Sequence, residues 1–187
     1  MRIDKTVYKG RPSDKRSETE EAIFEKLDSL KIEYERADHE HADTMEDCLA
    51  VEEVLGAKIC KNLFLCNRQK TEFYLLMMPG DKPFKTKYLT SQLNCARLSF
   101  AEADKMEEYL KTTPGSVSAL ELLFDEDNDI KLVIDNDLMK DEFISGHPGI
   151  STSTVKLKRE DMLTYLKAVN HPPVFIDLPW EQSPGEK

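Results

Sequence analysis

The chain has 187 residues, 40% hydrophobic and 33% charged, a length and composition that suit one globular domain with a single sizeable core. Its 36 acidic and 26 basic residues give a net charge of -10, which argues against broad, non-specific nucleic-acid binding and leaves room only for local basic patches. No stretch approaches the about 20 apolar residues of a membrane span, and the polar start, MRIDKTVYKGRPSDKRSE, lacks the apolar segment of a secretory signal.

Residues 1–16 read as a frayed or loosely docked arm, residues 17–170 as the folded domain, and residues 171–187, ending in EQSPGEK, as an extension with a terminal tail. The first helix begins in SETEEAIFEKLDSL, where Ser17 and Glu20 form a capping-box pair and Ile23, Phe24, Leu27 and Leu30 make the apolar stripe. KIEYERADH follows as a strand. TMEDCLAVEEVLG is a second helix, started by Thr44 with Asp47 and stopped by Gly56. ICKNLFLCN and TEFYLLMM are apolar strands joined by a polar turn, hence a hairpin. KTKYLTSQLN is a short helix, ARLSF a strand and AEADKMEEYLK a helix. TPGSVSALELLFD opens as a turn and continues as a short helix or a strand. IKLVID is a strand, FISGHPGISTSTVKL two strands around a bend at residues 146–149, and KREDMLTYLKAV the last helix. Strands mixed with helices, some in hairpins, give an α/β domain built on a mixed sheet.

Cys48, Cys60, Cys66 and Cys95 form no C-x-x-C pair and no zinc-type spacing, so reduced, mostly buried thiols in a cytoplasmic setting are expected. Alternation places Lys61 on one strand face with Leu63 and Leu65, and Cys60, Asn62, Phe64 and Cys66 on the other. Lys61 is then either an edge lysine whose stem covers the core, or a cation at the rim of an apolar pocket, available to a phosphate or carbonyl oxygen. Pro114-Gly115 marks a turn; if a helix follows, the N–H groups near Gly115, Ser116 and Val117 are open to an anion. Ser116 and Ser118 lack a G-x-S-x-G elbow, which argues against a serine triad. Gly146, Pro148 and Gly149 bend the chain at His147, and the hydroxyls of Ser151, Thr152, Ser153 and Thr154 follow. They are either strand-forming residues or groups that orient water or a ribose. His39 and His41, with His147 as a third, are a weak metal-ligand pattern, and no metal or cofactor is expected. Lys82, Lys85 and Lys87, and separately Lys156, Lys158 and Arg159, are either solvated faces or local basic patches.

Taken in order, KNLFL, MPGDKPFKTK, TPGSVSAL and the His-Pro bend resemble the YbaK/prolyl-tRNA synthetase-associated editing-domain family, most closely its freestanding PrdX-type deacylases. The similarity spans about residues 17–170. It implies a mixed, partly closed β-sheet flanked by helices, and hydrolysis in trans of mischarged tRNA(Pro), chiefly alanyl-tRNA(Pro) and in some members cysteinyl-tRNA(Pro). Carried over by position, it implies that Lys61 is the essential lysine, Gly115-Ser116-Val117-Ser118 the glycine-containing loop and His147 the pocket histidine. With that reading, Gly115 and Ser116 are the expected oxyanion donors. Leu63, Val117, Ser118, Gly146, Ser151 and Thr152 line the substrate pocket, and Lys82, Lys85 and Lys87 contact the tRNA. Two positions depart from the pattern of many members: Ala119 stands where a proline is usual, and Ser151-Thr152-Ser153-Thr154 stand where Asn and Thr-Ala-Thr are usual. The rival readings are a non-catalytic module that binds aminoacyl-tRNA or prolyl-tRNA synthetase, and a metal hydrolase built on His39, His41 and His147.

Overall fold

The computed structural model describes residues 1–42 and 44–180. The tail EQSPGEK lies outside the described residues. The helices start where local chemistry dictates. Ser17 and Glu20 close a capping box on α1 (Glu18–Ser29), and Thr44 and Asp47 close another on α2 (Met45–Leu55), each side chain meeting the other residue's backbone N–H. Gly56 ends α2 in the left-handed conformation, with φ 62°.

Among the described residues nine strands form two sheets. The smaller is antiparallel, ordered β1 (Tyr8–Lys9), β2 (Tyr34–Asp38), β8 (Ser153–Lys158), β7 (Phe143–Gly146). The larger runs β5 (Leu98–Phe100), β3 (Cys60–Asn67), β4 (Phe73–Pro79), β6 (Ile130–Asp135), β9 (Val174–Ile176). Within it β5, β3 and β4 are antiparallel, while β4, β6 and β9 are parallel. Three further helices are α3 (Thr86–Leu93), α4 (Ala103–Leu110) and α5 (Arg159–Ala168); short 3-10 helices cover Ala119–Phe124 and Asn136–Lys140. No helix among the described residues is long and apolar enough to cross a membrane.

The larger sheet is buried on both faces, and all seven residues of β4 are buried. That explains why TEFYLLMM is continuously apolar rather than alternating. One face joins α1, α5 and the smaller sheet in the main core, with Phe24, Phe64, Leu75, Leu120, Ile134 and Tyr165 among its members. The other face packs Leu65, Leu76 and Met78 against Leu89 of α3 and Leu178. The alternation read for β3 is observed: Cys60, Phe64 and Cys66 enter the main core, and Leu63 and Leu65 face the second cluster.

Residues of both the arm and the extension are docked as far as Trp180. The arm contributes β1, where Tyr8 pairs with Arg36 and the guanidinium lies 4.4 Å from the Tyr8 ring centre. Arg16 reaches Asp38 at 2.8 Å. The extension contributes β9 and brings Trp180 over Lys82. The two sheets meet at one seam. Ile59 bridges Ser145, the Ser145 hydroxyl donates to the Lys58 carbonyl at 2.6 Å, and the Cys60 thiol lies 3.3 Å from the Ser145 carbonyl. Opposite that bridge the chain passes so close that a Cβ on Gly80 would overlap the Ile59 carbonyl oxygen. Gly80→Ala is therefore expected to lower stability by about 1–3 kcal/mol, read as a lower urea midpoint; an unchanged midpoint would show that this approach has slack.

Candidate active site

The larger sheet leaves a gap along β3. On the side away from β4, β5 pairs only with Leu65, Cys66 and Asn67, and the bridge to β7 lies at Ile59. The Ala101 N–H takes the Phe64 carbonyl, so Lys61 to Leu63 border open space. A cavity of about 460 Å³ fills it, with Lys61, Asn62 and Leu63 on its wall. Gly146 and His147 close the end nearest the smaller sheet, Pro114, Gly115 and Val117 contribute from the loop before the first 3-10 helix, and Leu49 and Phe100 stand at its mouth.

Lys61 is half-buried, and its ammonium donates to the backbone carbonyl of Lys82 at 2.7 Å. That bond fixes the direction of an otherwise flexible stem. Lys82 itself is not at the surface. Its side chain has no exposure, and its ammonium lies 2.6 Å from Asp135 and 2.8 Å from Asp137. Trp180 covers it at 5.1 Å and donates its indole N–H to Asp137 at 2.6 Å. Lys82 is thus removed from the expected tRNA contacts. Asp137, bonded to Lys140, Lys82 and Trp180, is held far below the usual carboxylate range. Lys85 precedes α3 half-buried, and the ammonium of exposed Lys87 sits 4.9 Å from the Tyr88 ring centre; neither lines the cavity.

The Pro114-Gly115 turn is a type II turn by its marks: Ser116 N–H donates to the Thr113 carbonyl at 3.1 Å and Gly115 has φ 87°. Ser116 is buried with its N–H already used, so the expected Ser116 oxyanion donor is corrected. Ser118 is also turned inward. It caps the 3-10 helix by accepting from Leu120 N–H, and it gives its hydroxyl (3.0 Å) and its N–H to Glu121. A substrate contact by Ser118 is corrected on that ground. Burial first, against these hydrogen bonds, pushes the Glu121 carboxyl well above its ordinary value. The Gly115 and Val117 N–H groups, on the outward positions of the same loop, have no hydrogen-bond partner among the described residues.

His147 is buried, and burial lowers its pKa below 6.5. Its Nδ1 faces the Ser153 carbonyl at 2.8 Å, so Nδ1 carries the proton and Nε2 the lone pair. By the same logic His39 donates from Nδ1 to the Glu40 carbonyl at 2.7 Å, and its Nε2 accepts from the Thr154 hydroxyl at 2.9 Å. Thr154 lies 3.3 Å from His147 Nδ1, so one hydroxyl links the two imidazoles. His41 shares a 2.6 Å hydrogen bond with Ser151. Ser151 and Thr152 support this segment from behind: their carbonyls accept from the N–H groups of Ala42 and His39, and neither residue lines the cavity, which corrects their place in the substrate pocket. No group of three His, Cys, Asp or Glu side chains able to hold a metal ion occurs among the described residues.

Six of the expected residues thus surround one cavity: Lys61, Leu63, Gly115, Val117, Gly146 and His147. Asn62 joins them without having been singled out. Its Nδ2 points at the Cys60 carbonyl and thiol, both at 3.4 Å, which leaves Oδ1 buried and unpartnered among the described residues. The signal was present as an amide on a core-facing strand position, where a polar group needs a reason.

Lys82→Met would leave Asp135 buried without its cation, and about 3–5 kcal/mol of stability should be lost in urea unfolding. Adding Asp135→Leu should restore much of it. A double variant as unstable as the single one would count against the pair.

A family model described as the aminoacyl-tRNA editing domain matches residues 39–165. The chain is 32% identical over 151 residues to the prolyl-tRNA editing protein ProX of Acetoanaerobium sticklandii, covering 81% of this chain and 92% of that one. It is 30% identical over 165 residues to the mouse prolyl-tRNA synthetase associated domain-containing protein 1, covering 86% and 97%. Among solved structures, one ascribed to a trans-editing enzyme for prolyl-tRNA synthetase superposes with a TM-score of 0.66 at 13% identity, covering 88% of this chain and all of that one, a likeness of fold. On the match across most of its folded length, the chain belongs to the aminoacyl-tRNA editing domain family.

Proposed function

We propose that the cavity hydrolyses the ester of mischarged tRNA(Pro), alanyl-tRNA(Pro) before cysteinyl-tRNA(Pro), acting in trans beside a prolyl-tRNA synthetase. The observation that carries this is one cavity lined by a directed cation and by an acceptor: the Lys61 ammonium held by the Lys82 carbonyl, and the Nε2 lone pair of His147. An aminoacyl ester presents the complementary set, an α-ammonium that donates and a carbonyl oxygen that gains negative charge. Lys61 and the N–H groups of Gly115 and Val117 stabilise the tetrahedral oxyanion.

The ester is already activated, so a positioned water suffices and no covalent nucleophile is needed. The leaving ribose oxygen takes its proton by way of the vicinal hydroxyl of the substrate. His147, neutral with its lone pair on Nε2, accepts from the water or the ammonium. Selection is by the size of the pocket around Leu63, Gly146 and His147. Excluding the proline ring is the easier task, since a single methylene is worth only about 1–3 kcal/mol.

Incubation of the purified chain with tRNA(Pro) charged with alanine, cysteine or proline tests this directly. Alanine should be released fastest and proline left in place. Lys61→Ala should lower kcat/KM at least about 100-fold, the loss typical of an oxyanion donor, with an unchanged thermal midpoint. Wild-type turnover by that variant would remove Lys61 from the chemistry, and no release of any amino acid would leave only a binding module.

The pH profile supplies a second test. Because burial lowers the His147 pKa below 6.5, the neutral ring predominates above that pH and kcat/KM should be flat with respect to it. Activity should fall below pH 6.5 as the ring takes a proton. His147→Gln should remove that low-pH limb; a limb that persists belongs to another group.

A further inference from the structure

The mouth of the cavity is flanked by two strongly exposed apolar side chains, Leu49 at 60% on α2 and Phe100 at 59% on β5. Beyond them the surface differs in charge. Past Leu49 runs a groove bordered by Glu52, Glu53, Asp141 and Glu142, with Lys58 as its cation. Past Phe100 lies a second concavity bordered by Arg68, Lys70, Arg97 and Glu102. Lys70 is paired with Glu102 at 2.7 Å, whereas Arg68 and Arg97 have no charged or hydrogen-bonded partner among the described residues.

Those two arginines lie one residue beyond the Asn67–Leu98 pair, at the same end of β3 and β5. Like charges side by side repel, and among the described residues no carboxylate is paired with either arginine to offset them. An external anion would. Phe100 is braced by Phe84 in an edge-to-face contact, with ring centres 6.3 Å apart and an angle of 72°, so its ring holds one orientation while remaining exposed. It stands three residues from Arg97, about 10 Å along a strand.

We propose that a single-stranded RNA 3′ end leaves the cavity over Phe100, with a base stacked on that ring and backbone phosphates on Arg68 and Arg97. The proposal rests on reading the cavity as the aminoacyl-ester site. An exposed aromatic beside unpaired cations is the chemistry that holds single strands without base readout. The opposite exit, over Leu49, would run phosphates along four carboxylates. On a body of net charge -10 the cationic side is the one a polyanion can follow.

The test is anisotropy of a labelled RNA hairpin ending in single-stranded ACCA, titrated with the full chain at several salt concentrations. Arg68→Gln with Arg97→Gln should weaken binding about tenfold at low salt and flatten the slope of log K against log salt by about 1.4, two phosphate contacts' worth for a single strand. Phe100→Leu, which keeps the apolar bulk and loses the ring, should weaken binding about tenfold with the slope unchanged. Glu53→Gln with Glu142→Gln should bind as the wild type does. Wild-type binding by the arginine and Phe100 variants overturns the proposal, as do failure of the wild-type chain to bind and an effect confined to the glutamate variant. The readout is independent of hydrolysis. A chain that binds RNA through these residues and releases no amino acid loses the proposed activity and keeps this surface. Full deacylation of alanyl-tRNA by both variants at wild-type kcat/KM does the reverse.

Discussion

The candidate site depends on a charge buried where nothing in its own segment explains it. Lys82 has no exposure, and neither has Asp135, its partner at the end of β6. Removing two charges from water is costly, and the cost is offset only when geometry is good and the remaining valences are filled. Here they are. Asp135 gives one oxygen to Lys82 and the other to the Asp137 N–H; Asp137 supplies a second carboxylate; Trp180 roofs the ammonium. Three separate segments, the turn at Lys82, the end of β6 with the 3-10 helix it caps, and the extension at Trp180, meet at one ammonium. The consequence for the site is indirect. With its side chain anchored inward, Lys82 presents its carbonyl to Lys61, and so a buried lysine sets the position of the lysine at the cavity.

The cavity follows from strand pairing. A central strand with partners on both edges has no room beside it. β3 is paired along its length with β4, while on its other edge β5 with Ala101 reaches as far as Phe64 and the smaller sheet meets it at Ile59 and Cys60. The residues between, Lys61 to Leu63, alternate in direction, and all three line the opening. Lys61 thereby reaches the cavity without entering the interior of a core, while the Asn62 Oδ1 is buried on the other face. The histidines are placed by the same seam. His147 follows β7 directly, and Thr154 of β8 ties it to His39, which follows β2.

Features written in local chemistry were legible in the sequence. Both capping boxes, the Gly56 stop, the β3–β4 hairpin and the alternation of Lys61 with Leu63 and Leu65 depend on residues within a few positions of one another. What was not legible depends on distant partners. Two- and three-residue strands such as β1 and β9 exist because β2 and β6 offer free edges, so part of the arm and part of the extension pair with the sheets. GDKPFKTKY reads as a solvated basic turn because the aspartates that bury Lys82 lie more than fifty residues on. Ser116 and Ser118 are expected at the substrate by resemblance, and the partner that turns Ser118 inward, the fully buried Glu121, has no local mark that sets it apart from an exposed acid. The role assigned to Lys61 came from family resemblance; alternation alone placed it on an apolar face and left its purpose open.

Glu121 also accounts for the division of labour in that loop. From residue 115 to 118 the chain directs alternate groups inward and outward. The inward ones, Ser116 and Ser118, find their acceptors within the protein: Thr113 for the first, the Glu121 carboxyl for the second. The outward ones, Gly115 and Val117, keep N–H groups with nothing to donate to among the described residues, on the wall of a cavity. An unpaired donor is costly in a dry core and tolerable where a solvent molecule or a ligand can reach it. Anchoring the loop through a carboxyl on its far side thus leaves those two donors rigid and unspent. Ala119 fits the same logic: the helix that follows is started by the Ser118 cap, so no proline is needed there to set its first turn.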